Sequence, residues 1–353
     1  MKRHRNIHNL AFINSQTSAY AELSKSTLAL STIILILSVL LGCSKHPQDS
    51  GFTEVPRKAS VKFAVHHLQA TQTHSLDALV FNDDQLQRLD CYQCFEDISE
   101  GEQFVGSCSG DKILLICANL QWDKDSWRQY NSFKKACSLK ADLENEDRDF
   151  PVMSAIRYIT AGETTDVELE RISSEVELRS ISCDFTGKPY AGEAITDVKV
   201  YLTNVNACCS IIPQEGEPLE RVINHKGLIE PDILAFKDTS LIFSILSDIT
   251  SVRSYPSVKL LCYPNTSSEE SIGSPFTKLV IEGKIQGEIW YWPLEVNREG
   301  PSSGIERNRR YIYDITIRSK GTKDPDLTIT PEMTDIKFEA EKWKEKEAYY
   351  VAF

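Results

Sequence analysis

The sequence predicts an all-β protein with two antiparallel β-sandwich domains in series. Short segments with strand character follow one another along the chain, and only residues 126–143 have the pattern of a helix. Proline, glycine and asparagine residues separate these segments at short intervals. After an apolar leader about 310 residues remain, enough for two domains of ordinary size. Runs of short strands with almost no helix are typical of sandwiches.

The leader is the apolar run Leu28–Leu41, which ends in Gly42 and Cys43 and is followed at once by polar residues. It is shorter than the roughly 20 residues that a transmembrane helix needs, and basic residues precede it, so it predicts a secretory signal peptide over residues 1–42. Leu-Leu-Gly-Cys also resembles a bacterial lipobox. That resemblance implies that Cys43 becomes the new N-terminus and carries a lipid. The alternative is a buried helix with an incidental cysteine, but the run has no polar helical face.

Charge and cysteine content exclude some classes of protein. The net charge is −12, and removal of residues 1–42, with four basic residues and one acidic residue, takes it to −15. Such an acidic chain is a poor candidate for binding nucleic acid. Nine cysteines follow Cys43, including the pair Cys91 and Cys94. We expect buried free thiols, with one or two disulfides as the alternative; a metal site would need a second close Cys or His pair.

Residues 43–58 are predicted to be a linker, and the first strand is Ala59–Gln69. Apolar and polar residues alternate along this strand, which predicts that one face is buried. The buried face holds Val61, Phe63, Val65 and His67.

Further strands are predicted on both sides of a domain boundary. Leu76–Phe81 is the second strand, Lys112–Leu120 is apolar enough to be a central strand, and Val167–Ile181 is a long strand. Glycine and proline in Phe185–Glu193 place the boundary there, which gives domains over 59–184 and 185–353. The second domain is predicted to contain strands at Asp197–Leu202, Ser240–Leu246, Val258–Cys262, Lys278–Ile285, Gly287–Trp292, Tyr311–Ile317 and Ile336–Ala340.

The sequence lacks the motifs of common active sites. It contains no nucleophile elbow, no phosphate-binding glycine loop and no metalloprotease helix. Trp290 and Trp292 share one face of a predicted strand, where packing is favoured over sugar stacking. We therefore predict a non-catalytic protein without catalytic residues, metal or cofactor.

Several stretches along the chain form an ordered set of motifs. The most specific is Gly304–Ile317, with its Arg-Asn, a tyrosine and an alternating strand, followed by the turn Gly321–Pro325. The others, in chain order, are Ile113–Asn119, Pro151–Ser154, Glu170–Leu178 and Val198–Val205. Together these stretches resemble the fimbrillin family, the lipoprotein-derived subunits of type V pili of Bacteroidales.

The resemblance implies two transthyretin-like sandwich domains and assembly with other fimbrial subunits by β-strand exchange. If the first strand of a sandwich is removed, its neighbours expose backbone N–H and C=O groups beside an apolar groove. A strand from another subunit can pair with those groups and fill the groove with alternate side chains. In stalk subunits of the family, proteolysis after an arginine that follows the first strand removes it.

This sequence departs from that pattern, because no arginine or lysine lies between Gln69 and Ser75. The nearest arginines are Arg57, ahead of the first strand, and Arg88, beyond the second. The departure predicts a subunit that keeps its lipid and its first strand, as the membrane-anchoring subunit of a fimbrium in the outer membrane would. At the other end, an apolar segment is either a strand offered to a neighbour or part of its own domain; its exchange candidates are Tyr349, Val351 and Phe353.

Two alternatives remain open at this stage. In the first alternative, the chain is a stalk or tip subunit with an adhesive role. In the second, it is a surface lipoprotein that binds glycans or host or bacterial surface ligands. The second alternative predicts solvent-exposed side chains at Trp290 and Trp292.

Overall fold

The structure, a computed structural model, describes residues 58–66, 73–96, 102–123, 125–214, 216–223, 236, 238–271, 273–298, 303–327, 329–330 and 332–342. Strands dominate these residues, and their helices are single turns. None of the helices within these ranges is long and apolar enough to cross a membrane. The all-β prediction is confirmed.

The strands described between residues 58 and 183 are β1 (Lys58–His66), β2 (Leu76–Asn82), β3 (Leu89–Phe95), β4 (Glu102–Cys108), β5 (Asp111–Ala118), β6 (Lys140–Asp142), β7 (Met153–Thr160), β8 (Thr164–Glu168), β9 (Glu170–Arg171) and β10 (Ser174–Cys183). Apart from β6 and β10, these strands form a first sandwich of a five-stranded and a three-stranded sheet. The order of the former is β3-β2-β5-β7-β9, and that of the latter is β4-β1-β8.

The apolar strands β2 and β5 lie in the middle of the five-stranded sheet and are buried on both faces. Val80 and Leu114 point to the three-stranded sheet. On the opposite face, Leu79 and Leu115 join a larger core that continues into the second half of the chain. An uninterrupted apolar run suits a strand that is covered on both sides, so the prediction of a central strand in this region is confirmed.

The single helix predicted over residues 126–143 is wrong. The structure has a 3₁₀ turn at Ser126–Gln129, the short helix α1 (Phe133–Ala136) and then β6. Between the two turns the backbone pairs with the start of β3, because the amide of Leu89 donates to Asn131 and that of Phe133 to Gln87. These bonds replace the local bonds that a continuous helix would need.

The strands described between residues 196 and 342 are β11 (Thr196–Thr203), β12 (Val205–Asn206), β13 (Cys208–Ser210), β14 (Val222–Ile223), β15 (Phe243–Ile245), β16 (Val258–Cys262), β17 (Lys278–Ile285), β18 (Glu288–Glu295), β19 (Arg309–Ile317) and β20 (Thr334–Lys342). Seven of these strands and β10 form a second sandwich of two four-stranded sheets. The sheet orders are β16-β10-β19-β20 and β15-β11-β17-β18.

Strand β10 belongs to the second sandwich. The boundary predicted at Phe185–Glu193 puts Ser174–Cys183 in the first domain, but β10 pairs with β16 and β19 of the second sandwich. The predicted strand Val167–Ile181 is accordingly broken into β8, β9 and β10, since the chain moves from one sandwich to the other within it. Two pairs, β1 with β8 and β10 with β19, are parallel, so the sheets are not purely antiparallel.

The stretch Gly304–Ile317 builds the middle of the second sandwich. Its strand, β19, lies between β10 and β20. Ahead of the strand, the hydroxyl of Tyr311 accepts from the Glu306 amide at 2.9 Å and donates to the Gly304 carbonyl at 3.3 Å. Gly304 has a φ of +104°, and a Cβ there would lie 2.8 Å from the carbonyl oxygen of Asn265, so both conformation and space favour glycine.

Candidate strand-exchange site

Strand β1 occupies the middle of the three-stranded sheet. It pairs antiparallel with β4, from Lys58 opposite Cys108 to Ala64 opposite Glu102. On its other side it pairs in parallel with β8, with Phe63 opposite Thr165. Within the described residues, β4 and β8 have no other partner in this sheet. Removal of β1 would therefore leave two facing strand edges separated by the width of one strand.

The inward face of β1 carries the predicted alternation. Val61 and Phe63 are fully buried, and Val65 is half-buried against the same cluster. The rest of that cluster comes from both sheets and includes Val105 of β4 and Val167 of β8. Burial of a valine or phenylalanine side chain is worth about 1.5–3 kcal/mol, so these alternate residues supply much of the attraction for the strand.

The outward face of β1 is amphipathic. The Nζ atom of Lys62 lies 5.3 Å from the ring centroid of Phe104 in β4, and Phe104 is 52% exposed. Ala64, on the same face, is half-buried. The strand thus presents apolar residues to the core and a partly polar surface to solvent, as a replaceable strand would.

A polar cluster at the end of β4 was missed by the sequence analysis. Oδ2 of Asp90 accepts hydrogen bonds from the Ser107 hydroxyl at 2.7 Å, the Cys108 amide at 2.8 Å and Nζ of Lys112 at 2.9 Å. Burial acts to raise the pKa of Asp90, but these bonds outweigh it and lower the pKa to about 2. The carboxylate is therefore ionised at neutral pH. Its partners are up to 22 residues away, a distance at which no spacing pattern signals a contact.

Of the two arginines nearest to the first strand, Arg88 lies within the described residues. It is exposed and follows β2. A cut there would release β2 together with β1. Because β2 pairs with both β3 and β5 and is buried from Leu76 to Phe81, such a cut is a poor route to an open groove.

The other candidates are distributed as follows. Cys43, Tyr349, Val351 and Phe353 lie outside the described residues. The nine cysteines that follow Cys43 all lie within them, and all are free thiols. Within the same residues no cluster of three or more His, Cys, Asp or Glu side chains is arranged to hold a metal ion.

The tryptophans do not form an exposed aromatic platform. Trp292 is fully buried and donates from Nε1 to the Ser319 carbonyl at 3.0 Å. Trp290 is half-buried, with Nζ of Lys323 3.4 Å from its ring centroid. The exposed pair that the glycan-binding alternative requires is therefore absent at these two positions.

Solved structures similar to this one come from fimbrial and cell adhesion proteins. A proposed cell adhesion protein from Bacteroides eggerthii has a TM-score of 0.60 at 13% identity, over 82% of this chain and 97% of that chain. A fimbrilin from Porphyromonas gingivalis has a TM-score of 0.57 at 14% identity, over 81% and 97%. The C-terminally truncated tip fimbrial protein of Porphyromonas gingivalis has a TM-score of 0.50 at 13% identity, over 81% and 100%.

The sequence itself matches no protein-family model. No curated protein matches it either. The chain therefore shares the fold of the fimbrilins and other fimbrial proteins over most of its length, at low sequence identity.

Proposed function

We propose that this chain is a structural subunit of a cell-surface fimbrium and that it assembles with other fimbrial subunits by β-strand exchange. The observation that carries the proposal is the position of β1 between β4 and β8, with Val61 and Phe63 buried beneath it. A strand in that position can be replaced by a strand of another subunit, because any strand with apolar residues at alternate positions makes the same contacts. The fold shared with fimbrial proteins supports the same function, and none of the similar structures named above is that of an enzyme.

Within the fimbrium we assign the chain to the membrane-anchoring position. Cys43 would carry the lipid in the outer membrane, and the first strand would stay in place. The absence of arginine and lysine between Gln69 and Ser75 supports this assignment, as does the burial of β2 ahead of Arg88. At the other end, the alternate residues Tyr349, Val351 and Phe353 would face the groove of a neighbouring subunit.

A disulfide across β1 and β4 tests whether this strand must leave. Lys62 and Phe104 are opposite each other in the antiparallel pair, where Cα atoms are close enough for a disulfide. In an anchor, the double variant Lys62→Cys/Phe104→Cys should keep fimbriae attached to the cell under oxidising conditions. Each single variant is a control for unwanted pairing with the other thiols.

Loss of fimbriae in the oxidised double variant alone, with recovery on reduction, would overturn the anchoring assignment. It would make the chain a stalk or tip subunit whose first strand is replaced. Fimbriae that persist normally on cells lacking this chain, with none of it in purified fimbriae, would overturn the fimbrial function itself.

A further inference from the structure

If β1 leaves, β4 loses the only strand with which it pairs among the described residues. A groove then survives only if other contacts keep β4 and β8 over the core. Strand β8 has such support, since it follows β7 after a tight turn and Nε of Arg157 donates to the carbonyl of Asp166 at 3.3 Å. For β4, the corresponding support must come from its own ends.

The Asp90 carboxylate provides that support at the C-terminal end of β4. It binds the side chain of Ser107 and the backbone of Cys108, the last two residues of the strand. It also binds Lys112 in β5, which is 1% exposed and donates to Oδ1 of Asn82 in β2 at 2.5 Å. One carboxylate therefore connects the end of β4 to three strands of the five-stranded sheet, and none of these bonds involves β1.

The chemistry of this cluster suits a positioning role. A buried ion pair adds little net stability compared with apolar residues of similar volume. It does fix geometry, because a buried ammonium or carboxylate that loses its partner is left without compensation. The cluster therefore holds the end of β4 in one place whether or not β1 is present.

We propose that Asp90, oriented by Lys112, is the positioning residue that keeps β4 in place as one wall of the strand-acceptor groove. The inference rests on the strand-exchange function proposed above. The ligand of the groove is an extended segment with apolar side chains at alternate positions, and in the anchoring position that segment is β1 itself.

The test uses the chain cut between the first two strands. A specific protease site is inserted between Gln69 and Ala70, a fluorophore is coupled ahead of Lys58, and the chain is cut. The dissociation constant of the severed strand is then measured by fluorescence anisotropy during dilution and by competition with the unlabelled peptide Lys58–His66. The variants are Asp90→Ala/Lys112→Met, which removes both charges of the ion pair together, and Ser107→Ala, which removes one bond to Asp90 and no charge.

We expect the dissociation constant to rise about tenfold or more in the double variant, because binding must then also order β4. Loss of one hydrogen bond in Ser107→Ala should raise it by about fivefold. The matched control is Arg179→Met/Asp314→Ala, since Asp314 accepts from Arg179 and Ser180 in the second sandwich. This control should leave the dissociation constant unchanged, even though the loss of its ion pair changes the thermal unfolding temperature of the uncut chain.

A double variant that binds the severed strand as tightly as the unsubstituted chain would overturn the role of Asp90 and leave the proposed function intact. If the double variant does not fold, an unchanged dissociation constant in Ser107→Ala would overturn the role of Asp90 in the same way. A severed strand that shows no saturable binding to the unsubstituted chain would overturn strand exchange, and the role of Asp90 with it.

Discussion

The ring of Phe63 in β1 packs edge-on against that of Phe95 in β3, with centroids 6.0 Å apart and planes at 82°. This contact joins the three-stranded sheet to the five-stranded sheet across the core of the first sandwich. Because edge-to-face pairs add to the stabilisation from burial, Phe63 is expected to contribute more than any other side chain of β1 to the packing of this strand against the core.

Substitution Phe63→Ala should therefore lower the free energy of unfolding by about 3–5 kcal/mol. Phe104→Ala is the matched control, because Phe104 lies on the exposed face of the neighbouring strand and should cost less than about 1 kcal/mol. Denaturant unfolding of both variants measures the difference. Equal losses would show that the core does not depend on the first strand as described.

Glu146 should make stability depend on pH near neutrality. Burial raises the pKa of its carboxyl to about 7. Hydrogen bonds from the Tyr263 hydroxyl and the Val152 amide lower the pKa in part, as does the charge of Arg171. The charge of Asp147 raises the pKa further. Between pH 4.5, the ordinary pKa, and about 7, the folded chain holds a proton that the unfolded chain releases. Stability from this group therefore falls as pH rises through that window and is constant above it.

Glu146→Gln removes this titration and still allows a hydrogen bond to Tyr263 from the amide nitrogen. Between pH 4.5 and about pH 8 the unsubstituted chain should lose about 3 kcal/mol more stability than the variant does. Denaturant unfolding of both proteins at the two pH values gives the comparison. Parallel pH profiles would contradict the burial of an ionisable carboxyl at this position.

Gly321 should not tolerate a side chain. A Cβ at this position would overlap the carbonyl oxygen of Tyr291 and lie 3.1 Å from the ring of Trp292. Gly321→Ala is therefore expected to lower stability by about 1–3 kcal/mol, as overpacking does. Gly106→Ala is the control, because a Cβ there meets nothing within 4 Å. Thermal unfolding that ranks the two variants in the opposite order would contradict this packing.

The nine thiols should react at very different rates. Burial raises the pKa of Cys262 to about 12, and Cys117 is equally buried, whereas Cys94 is exposed. We expect maleimide to label Cys94 well before Cys117 or Cys262 in the native chain, and all nine thiols after unfolding. Mass spectrometry of peptides locates the label. Fewer than nine reactive thiols in the unfolded, unreduced chain would show that disulfides form.

Strong local patterns predicted much of the fold. The bounds predicted for Val258–Cys262 and Lys278–Ile285 agree with β16 and β17 at both ends, because each apolar run ends at a clear turn. Strands β3 and β4 were missed. In β4, Val105 is the only fully buried residue among those whose side chains are described, so no run or alternation identifies this strand in the sequence.

The candidate site was predictable only in part. The alternation in β1 identified Val61 and Phe63 as buried, since a strand with one covered face has period two. The walls on either side depend on pairing between distant segments, such as β1 with β8, about 100 residues apart. The Asp90 cluster depends on the same kind of contact. Such pairing follows from the assembled sheets and leaves no periodic signal in the sequence.

Mass spectrometry of the N-terminal peptides of the protein recovered from outer membranes tests the central claim most directly. The account predicts a lipid-modified Cys43 at the N-terminus and an uncut chain through Val61–Gln69, so that the lipid and the first strand remain on one polypeptide. A new N-terminus between Gln69 and Ser75 would contradict it, because the first strand would then have been separated from the rest of the subunit.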